Sequence, residues 1–315
     1  MSDRELDAAG IRDPELRAAY RRCRALNAEH GRTYFLATRL LAADQRPGVH
    51  ALYGFARYVD NVVDEPDAGS SAAEVRARLD DAERHLRDGL ASGRGRHPVI
   101  AAVVDTAARY DIDPALFTAF LESMRMDLTV RGYATRAELA VYVHGSARVI
   151  GLQMLPVLGT VTDPAEAAPR AAALGEAFQL TNFLRDVAED LDRDRVYLPA
   201  DELTAFDVDR ERLRWCRERG HADQRVRRAL ADQVARTRAL YREAAPGVAM
   251  LRPASRPCIA TAFTLYSEIL DRIEAMDHDV FARRAVVGNA RRAAVAAPAV
   301  LRSLLARRRT REVAR

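Results

Sequence analysis

The stretch Leu174-Gly-Glu-Ala-Phe-Gln-Leu-Thr-Asn-Phe-Leu-Arg-Asp-Val-Ala-Glu-Asp190 decides the fold. Phe178, Leu180, Phe183, Leu184 and Val187 wrap most of the circumference of a helix predicted over 171–192, the pattern of a buried helix. Yet Gln179, Asn182, Asp186 and Asp190 follow one another at offsets of 0, 3, 7 and 11 residues and form a polar stripe. A second segment, Arg46 to Glu65, repeats the arrangement. Leu52, Phe55, Ala56, Val59, Val62 and Val63 cover it, while Tyr53, Arg57, Asp60 and Asp64 sit at offsets of 0, 4, 7 and 11. At about 100° per residue these four span roughly 60° of arc.

Burying an uncompensated carboxylate is costly, so these four aspartates must meet cations or line a wet cavity. Salt bridges to arginines such as Arg57 and Arg185 would satisfy either pair alone. Two pairs with matched spacing, each on a mostly apolar helix, point instead to the facing walls of one cleft. The donors are all oxygen, with no histidine or cysteine at ligand spacing, which favours a hard cation. Magnesium suits sparse protein ligands because it keeps waters and shares itself with substrate phosphates; manganese is the natural substitute. A di-iron bundle would need Glu-x-x-His pairs, and the sequence has none.

Outward from these helices, apolar residues recur at three- and four-residue spacing with no strand-like alternation, so the fold class is all-α. Breaks fall at Gly31, 66–71, 93–98, 111–114, 163–169, 196–199 and 252–257, none long enough to be an interdomain linker. The expectation is a single domain over 1–315, about ten helices around a central cavity, with a basic C-terminal helix and tail over about 287–315. A hydrophobic content of 49% with 30% charged residues excludes disorder. All 49 basic residues are arginine, and they interleave with acids without aromatic partners, which argues against a nucleic-acid surface. The tail, with Arg307, Arg308, Arg309, Arg311 and Arg315, reads as a solvated end, or else as a peripheral contact with anionic headgroups on an inner membrane face. Three scattered cysteines give no disulfide framework or zinc site and fit a reducing cytoplasm. The N-terminus lacks the apolar core of a signal peptide. The longest mostly apolar stretch, Val149 to Val161, is too short to span a bilayer.

These features resemble the head-to-head trans-prenyl synthases, which include phytoene, squalene and dehydrosqualene synthases. The resemblance runs through His30-Gly-Arg-Thr-Tyr34, Ala51 to Glu65, Tyr142 to Gly151, the opening stretch, and Arg195-Val-Tyr-Leu-Pro199. It is strongest toward bacterial phytoene synthases. It implies an isoprenoid-synthase helical fold and a transferase of carotenoid biosynthesis that condenses two geranylgeranyl diphosphates, through prephytoene diphosphate, to phytoene. By position, Asp60, Asp64, Asp186 and Asp190 resemble the magnesium ligands. Gln179 and Asn182 would lie near the metal-diphosphate cluster, with His30 and Thr33 also substrate-binding. Arg57, Arg185 and Arg283 resemble diphosphate-binding arginines. Tyr53, Tyr142 and Tyr266 resemble cavity tyrosines that steer cations or proton loss.

A phytoene synthase needs no NADPH. The alternatives are squalene, dehydrosqualene or presqualene diphosphate synthesis from farnesyl diphosphate, or a non-catalytic prenyl-binding subunit, and the oligomeric state is open. Three departures stand out: Arg148 where relatives usually have a small residue, His144 where tyrosine is frequent, and Asn61 where an acid is frequent.

Overall fold

A computed structural model of the protein describes residues 1–64 and 71–300. The basic tail beyond residue 300 and Glu65 lie outside the described residues. The N-terminal half runs through α1 (Asp3–Ala8), α2 (Pro14–His30), α3 (Arg32–Thr38), α4 (Arg46–Asp64), α5 (Ala72–Ser92), α6 (Pro98–Tyr110), α7 (Pro114–Met126) and α8 (Arg136–Val143). A π-helical turn (His144–Arg148) leads into α9 (Val149–Leu158). Then follow α10 (Pro164–Arg185), α11 (Val187–Asp192), α12 (Ala200–Thr204), α13 (Arg210–Arg219), α14 (Gln224–Ala244), α15 (Gly247–Met250), α16 (Arg256–Ala275) and a last helical stretch over 289–300. Among the described residues the only extended pairings are two isolated bridges, Gly132 with Val196 and Thr160 with Leu251. No helix there is long and apolar enough to cross a membrane.

The helices outnumber the expected ten because pieces as short as α12 and α15 contain too few turns for periodicity to show. The long helices begin where local chemistry dictates. Asp13, Asp163 and Asp223 accept hydrogen bonds from the backbone N–H of Leu16, Ala165 and Val226 in the first turns of α2, α10 and α14, and proline opens α2 and α10. Ser71 and Glu74 form a reciprocal capping box at the start of α5.

One apolar cluster gathers Tyr20, Leu52, Phe55, Phe117 and Leu121 from α2, α4 and α7. A second gathers Leu184, Leu213, Leu230, Leu265 and Leu270 from α10, α13, α14 and α16. Phe178 packs against both. A cavity of about 350 Å³ is walled by residues of α2, α3, α4, the π turn, α9, α10, α14, α15 and α16.

Close helix approach sets the cavity's shape at the π turn. A Cβ on Gly145 would stand 2.1 Å from the Ala119 carbonyl oxygen of α7, and one on Gly175 would stand 2.3 Å from that of Ala147. The turn's wider hydrogen bonding leaves the Tyr142 carbonyl to Ser123, whose hydroxyl donates to it at 2.9 Å.

Candidate active site

The cavity's polar end is built by the two stripes. Asp60 of α4 lines it together with Arg57, Gln179 and Asn182. Burial, reinforced by the neighbouring Asp64 and opposed by Arg57, pushes the Asp60 carboxyl up to about 7. Asp190 is also pushed up to about 7, by burial and by Asp186, against the pull of Arg193 and Arg195. The other member of each pair is clamped. Asp64 accepts from Arg195 Nη1 at 2.9 Å, with Arg193 at 3.7 Å. Asp186 accepts from Arg185 Nε at 2.7 Å and Arg284 Nε at 2.8 Å. Arg193 and Arg195 hold Asp64 while also acting electrostatically on Asp190, which links the two pairs; of the four aspartates, Asp60 alone is among the residues lining the cavity.

The predicted continuous helix over 171–192 is interrupted. α10 ends at Arg185, the φ of −105° and ψ of 15° at Asp186 depart from helical values, and α11 starts at Val187. The Asp190 N–H still donates to the Asp186 carbonyl at 2.8 Å, so the one-turn spacing of the pair survives the break.

The donor set fits a hard divalent cation. Every candidate ligand is oxygen, and Asn61 and Asn182 each bury a side-chain oxygen that has no hydrogen-bond partner. Among the described residues no three acidic, histidine or cysteine side chains converge as a ready cage. The carboxylates come as pairs, which leaves the remaining positions of an octahedral ion to water and phosphate oxygens.

The rest of the wall is apolar: Leu41, Leu52, Ala147, Ile150, Met154 and Ile259 are among its lining residues. Of the predicted tyrosines, Tyr53 lines the cavity and Tyr142 and Tyr266 are not among its lining residues; Tyr34, for which the sequence suggests no role, lines it too. Tyr266 stands behind, 4.4 Å from Phe178 and 5.1 Å from Tyr34 between ring centroids. Tyr142 is buried in a separate aromatic cluster with Tyr133, Phe183 and Tyr197. Its hydroxyl donates at 2.8 Å to Asp127, which also accepts from Tyr197 at 3.1 Å. Burial pushes Asp127 up to about 6 despite Arg195 and these two phenols. Asp127 acts electrostatically on Asp60, making it a fifth carboxylate near the site. Its only sequence signal was a single acid ending an apolar helix.

Other predicted residues lie elsewhere. His30 is exposed at the end of α2, with Glu29 3.7 Å away, and Thr33 is half-buried; neither is among the residues lining the cavity. Arg283 is exposed, while its neighbour Arg284 reaches Asp186 and lies 3.3 Å from Glu189. Arg148 turns away from the cavity toward Glu176, at 3.7 Å, which explains how an arginine is accommodated there. His144 is exposed.

A helical bundle closed around an apolar cavity, with Asp60, Gln179 and Asn182 at its polar end, is the isoprenoid-synthase architecture. Comparison with known proteins places it further. The squalene/phytoene synthase family model matches residues 27–291. Phytoene synthase 3 of Zea mays is 38% identical over 299 residues, covering 93% of this chain and 68% of that protein. The phytoene synthase of Arthrospira platensis is 37% identical over 290 residues, covering 88% and 91%. Among solved structures, a dehydrosqualene synthase in complex with ligand superposes with a TM-score of 0.81 at 26% identity, covering 90% of this chain and 96% of that one. A squalene synthase from Alicyclobacillus acidocaldarius gives 0.76 at 27% identity, covering 86% and 98%. The chain belongs to the squalene/phytoene synthase family.

Proposed function

We propose that the protein is a 15-cis-phytoene-type synthase that joins two geranylgeranyl diphosphates head to head, through prephytoene diphosphate. The observation that carries this reading is that side chains of both stripes, Arg57 and Asp60 from one and Gln179 and Asn182 from the other, meet at one end of an apolar cavity, with Arg193 and Arg195 linking the two aspartate pairs beside it. The identity of 37–38% to phytoene synthases over most of the chain supports the choice of substrate.

Asp60, Asp64, Asp186 and Asp190 would hold magnesium, with Asn182 and Gln179 adjoining. When bound, the ions neutralise the diphosphate and stabilise it as a leaving group. The chain's own groups do the rest. Arg57, Arg185 and Arg284 supply forked donors to phosphate oxygens. Tyr53 and Tyr34 line the cavity, where their rings would stabilise the allylic cation left when the C–O bond breaks, and the aliphatic wall would keep water from it. Attack by the second chain's double bond and loss of a proton give the cyclopropylcarbinyl diphosphate. A second ionisation, rearrangement and proton loss give the 1-1′ linked alkene without a reductant.

Purified protein given geranylgeranyl diphosphate and magnesium should form a C40 hydrocarbon without NADPH, and the Asp60→Asn variant should form none while keeping its helicity. Preferred turnover of farnesyl diphosphate in a side-by-side assay would reassign the substrate, and no turnover of either by folded protein would overturn the reading.

A further inference from the structure

The cavity is long in one direction, and α10 gives its length. Residues one turn apart on that helix, from Asn182 at the polar end through Phe178, Leu174 and Ala171 to Ala167, all belong to the wall. At 1.5 Å of rise per residue, Ala171 stands about 16 Å and Ala167 about 22 Å from the level of Asn182. The far end therefore falls at the turn between α9 and α10. Leu158 closes α9 there, and Leu251 is brought to the same turn by its bridge with Thr160; both line the cavity.

Buried hydrogen bonds fix this end. The Leu158 carbonyl accepts from Gln45 Nε2 at 3.1 Å and from the Ser255 hydroxyl at 2.6 Å, and both donors are buried. The backbone N–H of Arg252 donates to the Gly159 carbonyl at 2.9 Å. Arg170 also lines the cavity, but its Nη1 donates to the Glu243 carbonyl at 3.2 Å, which leaves the aliphatic stem as the part that faces inward. A Cβ on Gly247 would stand 2.6 Å from the Arg170 Cβ, so α15 packs on that stem with no side chain between.

A prenyl chain held by its diphosphate at the polar end is measured against this wall. A farnesyl group has twelve carbons in line and, at about 1.5 Å per bond, extends at most about 18 Å from its oxygen, whereas the sixteen of a geranylgeranyl group extend up to about 24 Å. The shorter chain ends near Ala171, and only the longer one reaches Ala167. We propose that Ala167, at the fixed end of the cavity, is a specificity-determining residue that admits the fourth isoprene unit; this rests on the head-to-head reading above. Its methyl group leaves room for that unit, and a chain one unit shorter leaves the last turn of apolar wall without contact.

Binding of the unreactive geranylgeranyl and farnesyl thiolodiphosphates, titrated calorimetrically with magnesium present, tests this without any turnover. Wild-type protein should bind the longer analogue at least about tenfold more tightly, since a single methylene in an apolar pocket is already worth that much. Ala167→Leu should remove the preference, weakening the geranylgeranyl analogue about tenfold or more and the farnesyl analogue by less than about twofold. Ala171→Leu, within reach of both chains, should weaken both. A preference that survives Ala167→Leu overturns the proposal, as does an equal loss of both analogues in that variant, or wild-type protein that binds the two alike. Should Ala167→Leu lose helicity, Ala167→Val is judged by the same criteria. Turnover of the parent diphosphates by wild-type protein checks the head-to-head reading separately: a chain-length preference without turnover would strike that reading and leave the role of Ala167 standing.

Discussion

Two adjacent arginines illustrate what a single side chain's direction decides. Arg283 and Arg284 have the same chemistry, yet only Arg284 reaches Asp186. They lie in the irregular segment between α16 and the last helical stretch, where no periodicity says which of two neighbours turns inward. Losing one charge-assisted contact to a phosphate is worth about 1.5–3 kcal/mol, or roughly ten- to a hundredfold. Steady-state kinetics should therefore show Arg284→Ala raising KM for the prenyl diphosphate by about tenfold or more, with Arg283→Ala within about twofold of wild type. The aspartates were legible for the opposite reason. Asp60 and Asp190 sit at fixed helical offsets from their partners, and that spacing persists even across the break at Asp186. The order of Tyr34 and Tyr266 was hidden, because ring layering depends on how α3, α10 and α16 approach one another.

At the scale of elements, the contact between the π turn and α10 sets the width of the cavity. Gly175 lets the Ala147 carbonyl come so close that any side chain would have to push the π turn away. Overpacking of this kind costs about 1–3 kcal/mol. Gly175→Ala should lower the unfolding free energy measured by urea titration by that amount and reduce turnover with it, since Gly175 and Ala147 both line the cavity. The all-α class and the two stripe-bearing helices could be read directly from apolar spacing. The π turn could not, because one extra residue in a turn leaves the apolar pattern of Tyr142 to Gly151 looking like an ordinary helix.

For the molecule as a whole, acid stability should depend on a group outside the aspartate pairs. His50 is buried in α4, its Nδ1 3.0 Å from Asn27 Nδ2, and burial together with Arg24 pulls its pKa down to about 3. Below about pH 6.5 the unfolded chain takes up a proton there that the folded chain refuses, so stability falls as pH drops from about 6.5 toward 3, by up to about 1.4 kcal/mol per unit. The raised carboxyls Asp60 and Asp190 act with the opposite sign, because the folded state holds their protons longer. The comparison with His50→Gln isolates the histidine. Thermal melts from pH 6.5 to 4.5 should show the variant losing less stability than wild type, and parallel losses would count against His50.

The arginine clamps on Asp64 and Asp186 make loading an exchange of partners. A cation that captures Asp186 must compete with the guanidiniums of Arg185 and Arg284, and one that captures Asp64 must compete with Arg193 and Arg195. A polyanion arriving with the metal would give those displaced charges new acceptors. On the proposed reading the site would therefore favour an ion that comes as part of a metal-diphosphate complex over a bare one, so that recognition of the cofactor and of the substrate's headgroup would become a single event.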